Sequence, residues 1–257
     1  NFVVGDKWLP INHELLNKFY KTDFLGFESY LDKSEITGDS IIRYTKIPMT
    51  FLLDYYTQYK TSDSLKLPNY YVIPVQFSYL KDILVLHGIT FIENNTTKEV
   101  KGKFYKFSEV KLSPRSFEGR QLPSFNANEF SKEVTINPGD LIISTNQKNF
   151  IPLVYLLEPK SPDSFVKWGF LNSIFEQKEY AESYVIENMI EEIFNHNPSL
   201  KEEFYSKMKN DSTFNGNNRA IIIWLYSKTP YWDNRMNIYP VGKISDKKSI
   251  EGIMQDK

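Results

Sequence analysis

Histidine, carboxylate and hydroxyl side chains build most catalytic sites, so their spacing is read first. The three histidines are His13, His87 and His196. No two of them have metal-ligand spacing, and neither H-x-x-E nor H-E-x-x-H occurs. His87 precedes Gly88 and His196 precedes Asn197, positions at which a histidine closes a helix and meets its dipole. Serines are numerous, but none lies in G-x-S-x-G, and neither glycine-rich phosphate-binding pattern is present. Cysteine is absent, which excludes disulfides, thiol nucleophiles and thiolate metal sites. The sequence therefore assigns no catalytic residue, no metal ligand and no cofactor to this chain.

Carboxylates and aromatics supply the binding candidates. Glu158 and Asp163 flank Pro159 and Pro162 in a loop between a strand-bearing and a helical half, where a cleft can form. The same residues could cap a helix beginning near Ser164. Glu118-Gly119-Arg120 lies in a polar loop that could present the arginine to a carboxylate ligand. Trp168, Trp224 and Trp232 mark an aromatic groove for peptide or glycan, with core packing as the competing use of the same rings. Glu176, Glu179, Glu182, Glu187, Glu191 and Glu192 recur along a helical stretch whose other face is apolar, which reads as a solvated face. The binding candidates are thus Glu158, Asp163, Trp168, Glu118, Arg120 and Trp232.

The elements that must position these residues follow from periodicity. The pattern predicts an α+β fold, with N-terminal strands and a small, partly parallel α/β sheet followed by a helical C-terminal part. Residues 10–20 read as a short helix, and 41–47 and 51–57 as two strands broken by Pro48. A strand at 70–74, a helix ending at His87-Gly88 and a strand at 89–92 suggest a parallel crossover. Strand patterns lie within 99–112 and at 133–136 and 141–144, with a loop over 113–128 and a helix over 149–157. From Ser164 the spacing of Phe165, Trp168, Leu171 and Phe175 predicts helix. Further helices run to about Asn195, from Pro198 to about Lys209, and from Asn217 to Lys228, and the tail after Gly242 reads as frayed. The organisation is an N-terminal β-rich segment (1–66), an α/β subdomain (67–160) and a helical subdomain (161–257), or one compact unit. With 31 basic and 32 acidic residues, a net charge of −1 gives no field to attract nucleic acid. No apolar run reaches the length of a membrane-spanning helix.

Several stretches together resemble one family. Leu156-Leu157-Glu158-Pro159, Pro162-Asp163-Ser164, Trp168-Gly169-Phe170 and Phe175-Glu176-Gln177-Lys178-Glu179-Tyr180 are similar to the region after the catalytic domain in bacterial M14-type zinc carboxypeptidase-like proteins. Phe24-Leu25-Gly26-Phe27-Glu28, His87-Gly88-Ile89, Phe117-Glu118-Gly119, Pro138-Gly139-Asp140, Pro230-Tyr231-Trp232-Asp233 and Tyr239-Pro240-Val241 extend the likeness over about residues 24–243. Where relatives carry histidine after the Glu-Gly pair, this chain has Arg120. The resemblance implies a non-catalytic accessory region that packs on or gates a peptidase domain. In such a protein zinc is held elsewhere, by H-x-x-E and a later histidine. It implies an upstream peptidase domain as partner, peptide as a second partner, and a periplasmic or secreted location. The start at Asn1 rather than Met fits a piece of a longer precursor. The alternative is a peptide- or glycan-binding module with an aromatic groove.

Overall fold

A computed structural model describes residues 8–177 and 180–250. Lys178 and Glu179 of the acidic stretch lie outside the described residues. The chain is α+β and divides into two compact units, residues 1–67 and 68–257.

The first unit is built from two antiparallel ribbons. Strand β1 (Trp8–Leu15) pairs with β4 (Tyr59–Lys66), and β2 (Phe19–Lys33) pairs with β3 (Ser40–Tyr56). The helix expected over residues 10–20 is therefore strand: Trp8-Leu9-Pro10-Ile11 feeds a ladder that helical propensity cannot see. The two strands expected around Pro48 are one. Proline fits there because, among the described residues, β2 is the only strand paired with β3, leaving an outer edge that asks for no N–H. The ladder also breaks beside it, between Phe27 and Ser29.

The second unit holds a six-stranded sheet. Its strands are β5 (Tyr70–Ile73), β6 (Ile92–Glu93), β7 (Lys98–Leu112), β8 (Pro123–Ile136), β9 (Leu141–Ser144) and β10 (Gly242–Ile244), in the order β6-β9-β5-β10-β7-β8. Each pairing is antiparallel. Strands β5 and β6 run the same way, as a strand–helix–strand unit requires, but β9 inserts between them and pairs with both. The crossover between them carries a 3-10 turn and helix α1 (Lys81–Leu86), which ends at Gly88 with φ +65°.

Three expectations need correction here. The loop expected over 113–128 is strand from Pro123 onward, because β8 runs from Pro123 to Ile136. The segment from Ser164 is a series of turns with a 3-10 turn at Asn172–Phe175, not an α-helix, although Phe165, Val166 and Leu171 are buried as its spacing implied. The tail beyond Gly242 enters the middle of the sheet as β10, between β5 and β7. A three-residue strand has too few positions to show a period.

Parity along the strands separates the two faces of the sheet. Tyr70, Val72, Val100, Phe104, Ile136 and Ile244 lie on one face. Tyr71, Lys103, Tyr105, Glu129 and Lys243 lie on the other. Helix α2 (Phe150–Leu157) buries Leu153, Val154 and Leu157. Helices α3 (Ser183–His196), α4 (Pro198–Asn210) and α5 (Asn218–Tyr226) follow. Asn197 accepts from the Leu200 amide and Asn217 from the Ala220 amide, so asparagine caps start α4 and α5. Ile186, Ile190, Leu225 and Tyr226 form the helical core, with Trp224 and Trp232 against it.

Candidate functional site

The sequence candidates fall in three places. Glu158 is at the end of α2 and fully buried. Tyr71 donates a hydrogen bond to its Oε1 at 2.6 Å, and Tyr105 donates to its Oε2 at 3.0 Å. The Lys243 ammonium is 3.6 Å from the same oxygen and donates to the Tyr105 hydroxyl at 2.8 Å. Lys243 also pairs with Glu129, which Lys103 contacts from the exposed side at 2.7 Å. Burial pushes the Tyr71 and Tyr105 hydroxyls well above their ordinary value, and the neighbouring Glu158 charge adds to the rise. Burial also raises Tyr239, which donates to the Leu157 carbonyl at 2.7 Å. Burial alone would raise Glu129, but hydrogen bonds and charge from Lys103 and Lys243 outweigh it and hold its carboxyl below the usual range. This is a charge set whose members satisfy one another, and it locks α2 and β10 to the sheet.

Asp163, Trp168, Glu118 and Arg120 gather on two adjoining loops. Trp168 Nε1 donates to Asp163 Oδ1 at 3.3 Å, and the indole packs on Phe117 with ring centres 6.1 Å apart. Phe117 and Arg120 bridge a tight hairpin, with Glu118 at φ +48° and Gly119 at φ +77°. Two successive positive φ values suit a two-residue hairpin turn; glycine takes the second without strain, whereas a glutamate at the first is costly. The Arg120 guanidinium lies 3.6 Å from the centre of the Phe170 ring. A side chain on Gly169 (φ +70°) would strike the Gln121 carbonyl at 2.7 Å, so that glycine is what lets the loops meet. Asp163 and Arg120 thus find an indole and a ring, and the cluster ties loop to loop.

Trp232 belongs to the third place, a cavity of about 620 Å³ in the second unit. Its floor is the sheet face carrying Val72, Phe104, Val134, Ile136 and Ile244. Its walls come from Phe77, Tyr226, Trp232 and Met236. Glycines shape the floor: a Cβ on Gly242 would meet the Phe104 ring at 2.9 Å, and one on Gly102 would meet Ile244 at 2.9 Å and Phe104 at 3.0 Å. Lys132 brings its ammonium to 4.5 Å from the centre of the Phe104 ring. Arg235, held by Asp233 through two contacts of 2.9 and 3.0 Å, and Glu176 add charge around the opening. Asp140 also lines the cavity, but its carboxylate is engaged by the amides of Val75 and Asn137, which fix the Asn137–Asp140 turn against the start of the crossover.

No family model, no curated protein and no solved structure matches this chain. Among the described residues, no three His, Cys, Asp or Glu side chains come together in a way that could hold a metal ion. His87 and His196 each place Nδ1 on a helix carbonyl, at 2.9 and 2.8 Å, the helix-end role read from sequence. These residues do not fit a zinc centre. What the second unit offers is an apolar recess with charges at its mouth, of a size that encloses a small ligand or a few side chains. Sequence reasoning reached only Trp232 and, as a solvated acid, Glu176. Phe77, Phe104, Lys132 and Met236 come from four separate segments, and the alternation that points Phe104 and Lys132 to one face was the only signal that could have joined any of them.

Proposed function

We propose that this chain is a non-catalytic module that holds a peptide segment in the cavity of its second unit. We further propose that it works as the accessory region of a zinc carboxypeptidase-like protein. The observation that carries the reading is the cavity itself. Its aliphatic floor of Val72, Val134, Ile136 and Ile244 matches an apolar side chain better than a sugar, which wants planar rings and convergent polar groups. Lys132 and Glu176 offer opposite charges to a peptide backbone or its termini. The zinc-dependent chemistry of such a protein belongs to its peptidase domain, and the multi-part resemblance over residues 24–243 supports that assignment. The same resemblance supports a periplasmic or secreted location and the peptidase domain as the partner.

Titration of the chain with short peptides bearing apolar side chains tests the reading, followed by tryptophan fluorescence and calorimetry. Saturable binding that Trp232→Ala weakens is the expected result. Unchanged fluorescence and no heat across peptides and oligosaccharides would remove the binding reading. Stoichiometric zinc or carboxypeptidase activity in the purified chain would overturn the non-catalytic one.

A further inference from the structure

The β2–β3 ribbon carries a continuous apolar face. Its register sets Tyr20 opposite Tyr55, Thr22 opposite Leu53, Phe24 opposite Phe51 and Gly26 opposite Met49. Alternation sends these pairs to one side of the ribbon. None of these residues is charged, and the Lys21–Asp54 ion pair and Asp23 fall on the other side. Tyr20, Phe24, Met49, Leu53 and Tyr55 are each between 45% and 57% exposed. Among the described residues both strands pair only with each other, and a lone two-stranded ribbon is marginal in water. A contiguous apolar strip of this kind marks a contact surface.

We propose that this face is a dimer interface between two copies of the chain, packed face to face about a two-fold axis. Area supports a second copy. Five side chains about half exposed, at roughly 200 Å² each, put about 500 Å² on the face. Two copies then bury about 1,000 Å² before Phe51, Thr22 and the backbone are counted, which reaches the size of a specific interface. Shape supports it as well. With the axis in the contact plane and across the strands, Tyr20 and Tyr55 of one copy sit over Gly26 and Met49 of the other. Phe24 and Phe51 then sit over Thr22 and Leu53 of the other copy, so the bulkier pairs meet the slimmer ones. Gly26 helps here, because a Cβ would meet the Phe51 ring at 3.0 Å and tilt it off the face. Charge is the third support: a two-fold contact brings like charges together near its axis, and this face has none.

The test is sedimentation equilibrium of the full chain over ~1 to ~100 μM, the range that resolves micromolar association. The expected result is a dimer that Phe24→Asp weakens by about a hundredfold or more, whereas Leu25→Asp, on the opposite side of the ribbon, leaves it intact. A second measurement does not depend on how Phe24→Asp folds. The chain has no cysteine, so Tyr55→Cys combined with Met49→Cys, the pair that faces across the axis, gives the only thiols. They lie about 20 Å apart along one ribbon, too far to join within a copy. A bis-maleimide with a spacer of about 10 Å, the spacing of sheets packed face to face, should therefore link two copies. A wild-type chain that stays monomeric throughout, a dimer indifferent to Phe24→Asp, or the failure of that pair to cross-link overturns the proposal. The first of these outcomes would hand the face to a different partner. The result is independent of whether the cavity binds peptide.

Discussion

Glu158 shows how far a residue's surroundings decide its use. Just before Pro159 at the start of a loop it invites a catalytic or binding role, but it is fully buried, with two tyrosine hydroxyls and Lys243 around it. Removing one member of a buried charge set leaves the others unpaired. Glu158→Ala is expected to cost about 3 kcal/mol in urea unfolding, since Lys243 keeps Glu129. Glu158→Gln, which retains an acceptor, is expected to cost about 1–2 kcal/mol. The same set shapes the pH profile. Tyr71, Tyr105 and Tyr239 have folded values above the ordinary 10.0. The unfolded chain releases these protons first, so their contribution is fully present below about pH 10 and is lost as pH rises beyond it. Glu129 has the opposite sign: its folded value lies below 4.5, so its contribution is present above that value and fades as pH falls through the lowered one. Thermal melts across pH 8 to 11 check the alkaline limb, which Tyr105→Phe should make shallower. Melts across pH 5 to 2 check the acid limb, which Lys243→Met should flatten.

At the scale of elements, the sheet depends on its last strand. β10 is three residues long, yet it bridges β5 to β7 and brings Lys243 to Glu158. A chain ending at Val241 is expected to lose the cooperative melt of the second unit, with hydrogen exchange rising in β5 and β7 as the direct readout. A milder probe is Gly242→Ala. The added methyl meets Phe104 at 2.9 Å, so the ring must shift at a cost of about 1–3 kcal/mol. Because Phe104 is also cavity floor, the same variant should weaken peptide binding. Helix starts were far more legible than this strand. Asn197-Pro198 and Asn217 announced the beginnings of α4 and α5 because a cap is a local arrangement of one side chain and the next amides. Strand partners cannot be read that way, since Val72 and Gly242 meet across most of the second unit's sequence.

For the molecule as a whole, the two units present different surfaces: a cavity in the second and an uncovered apolar ribbon in the first. Trp232→Ala is expected to reduce peptide affinity about tenfold, since an aromatic wall residue typically contributes at that level; calorimetry on the variant and the parent chain measures it. With a net charge of −1, no long-range field steers the ligand, so binding should change little between low and physiological salt. Among the described residues, no helix is long and apolar enough to cross a membrane.

By itself the sequence determined the α+β class, the starts of α2, α4 and α5, the buried strand Leu141–Ser144 and the helix-end histidines. Each of these is a local matter of periodicity, capping or composition. The tertiary structure alone decided that Glu158 is a structural anchor, that Asp163 holds the Trp168 indole and Arg120 stacks on Phe170, and that Trp232 lines a cavity. The reason is physical. A carboxylate's role depends on what surrounds it, and here those partners come from β5, β7 and β10, elements that strand pairing brings together from distant parts of the chain.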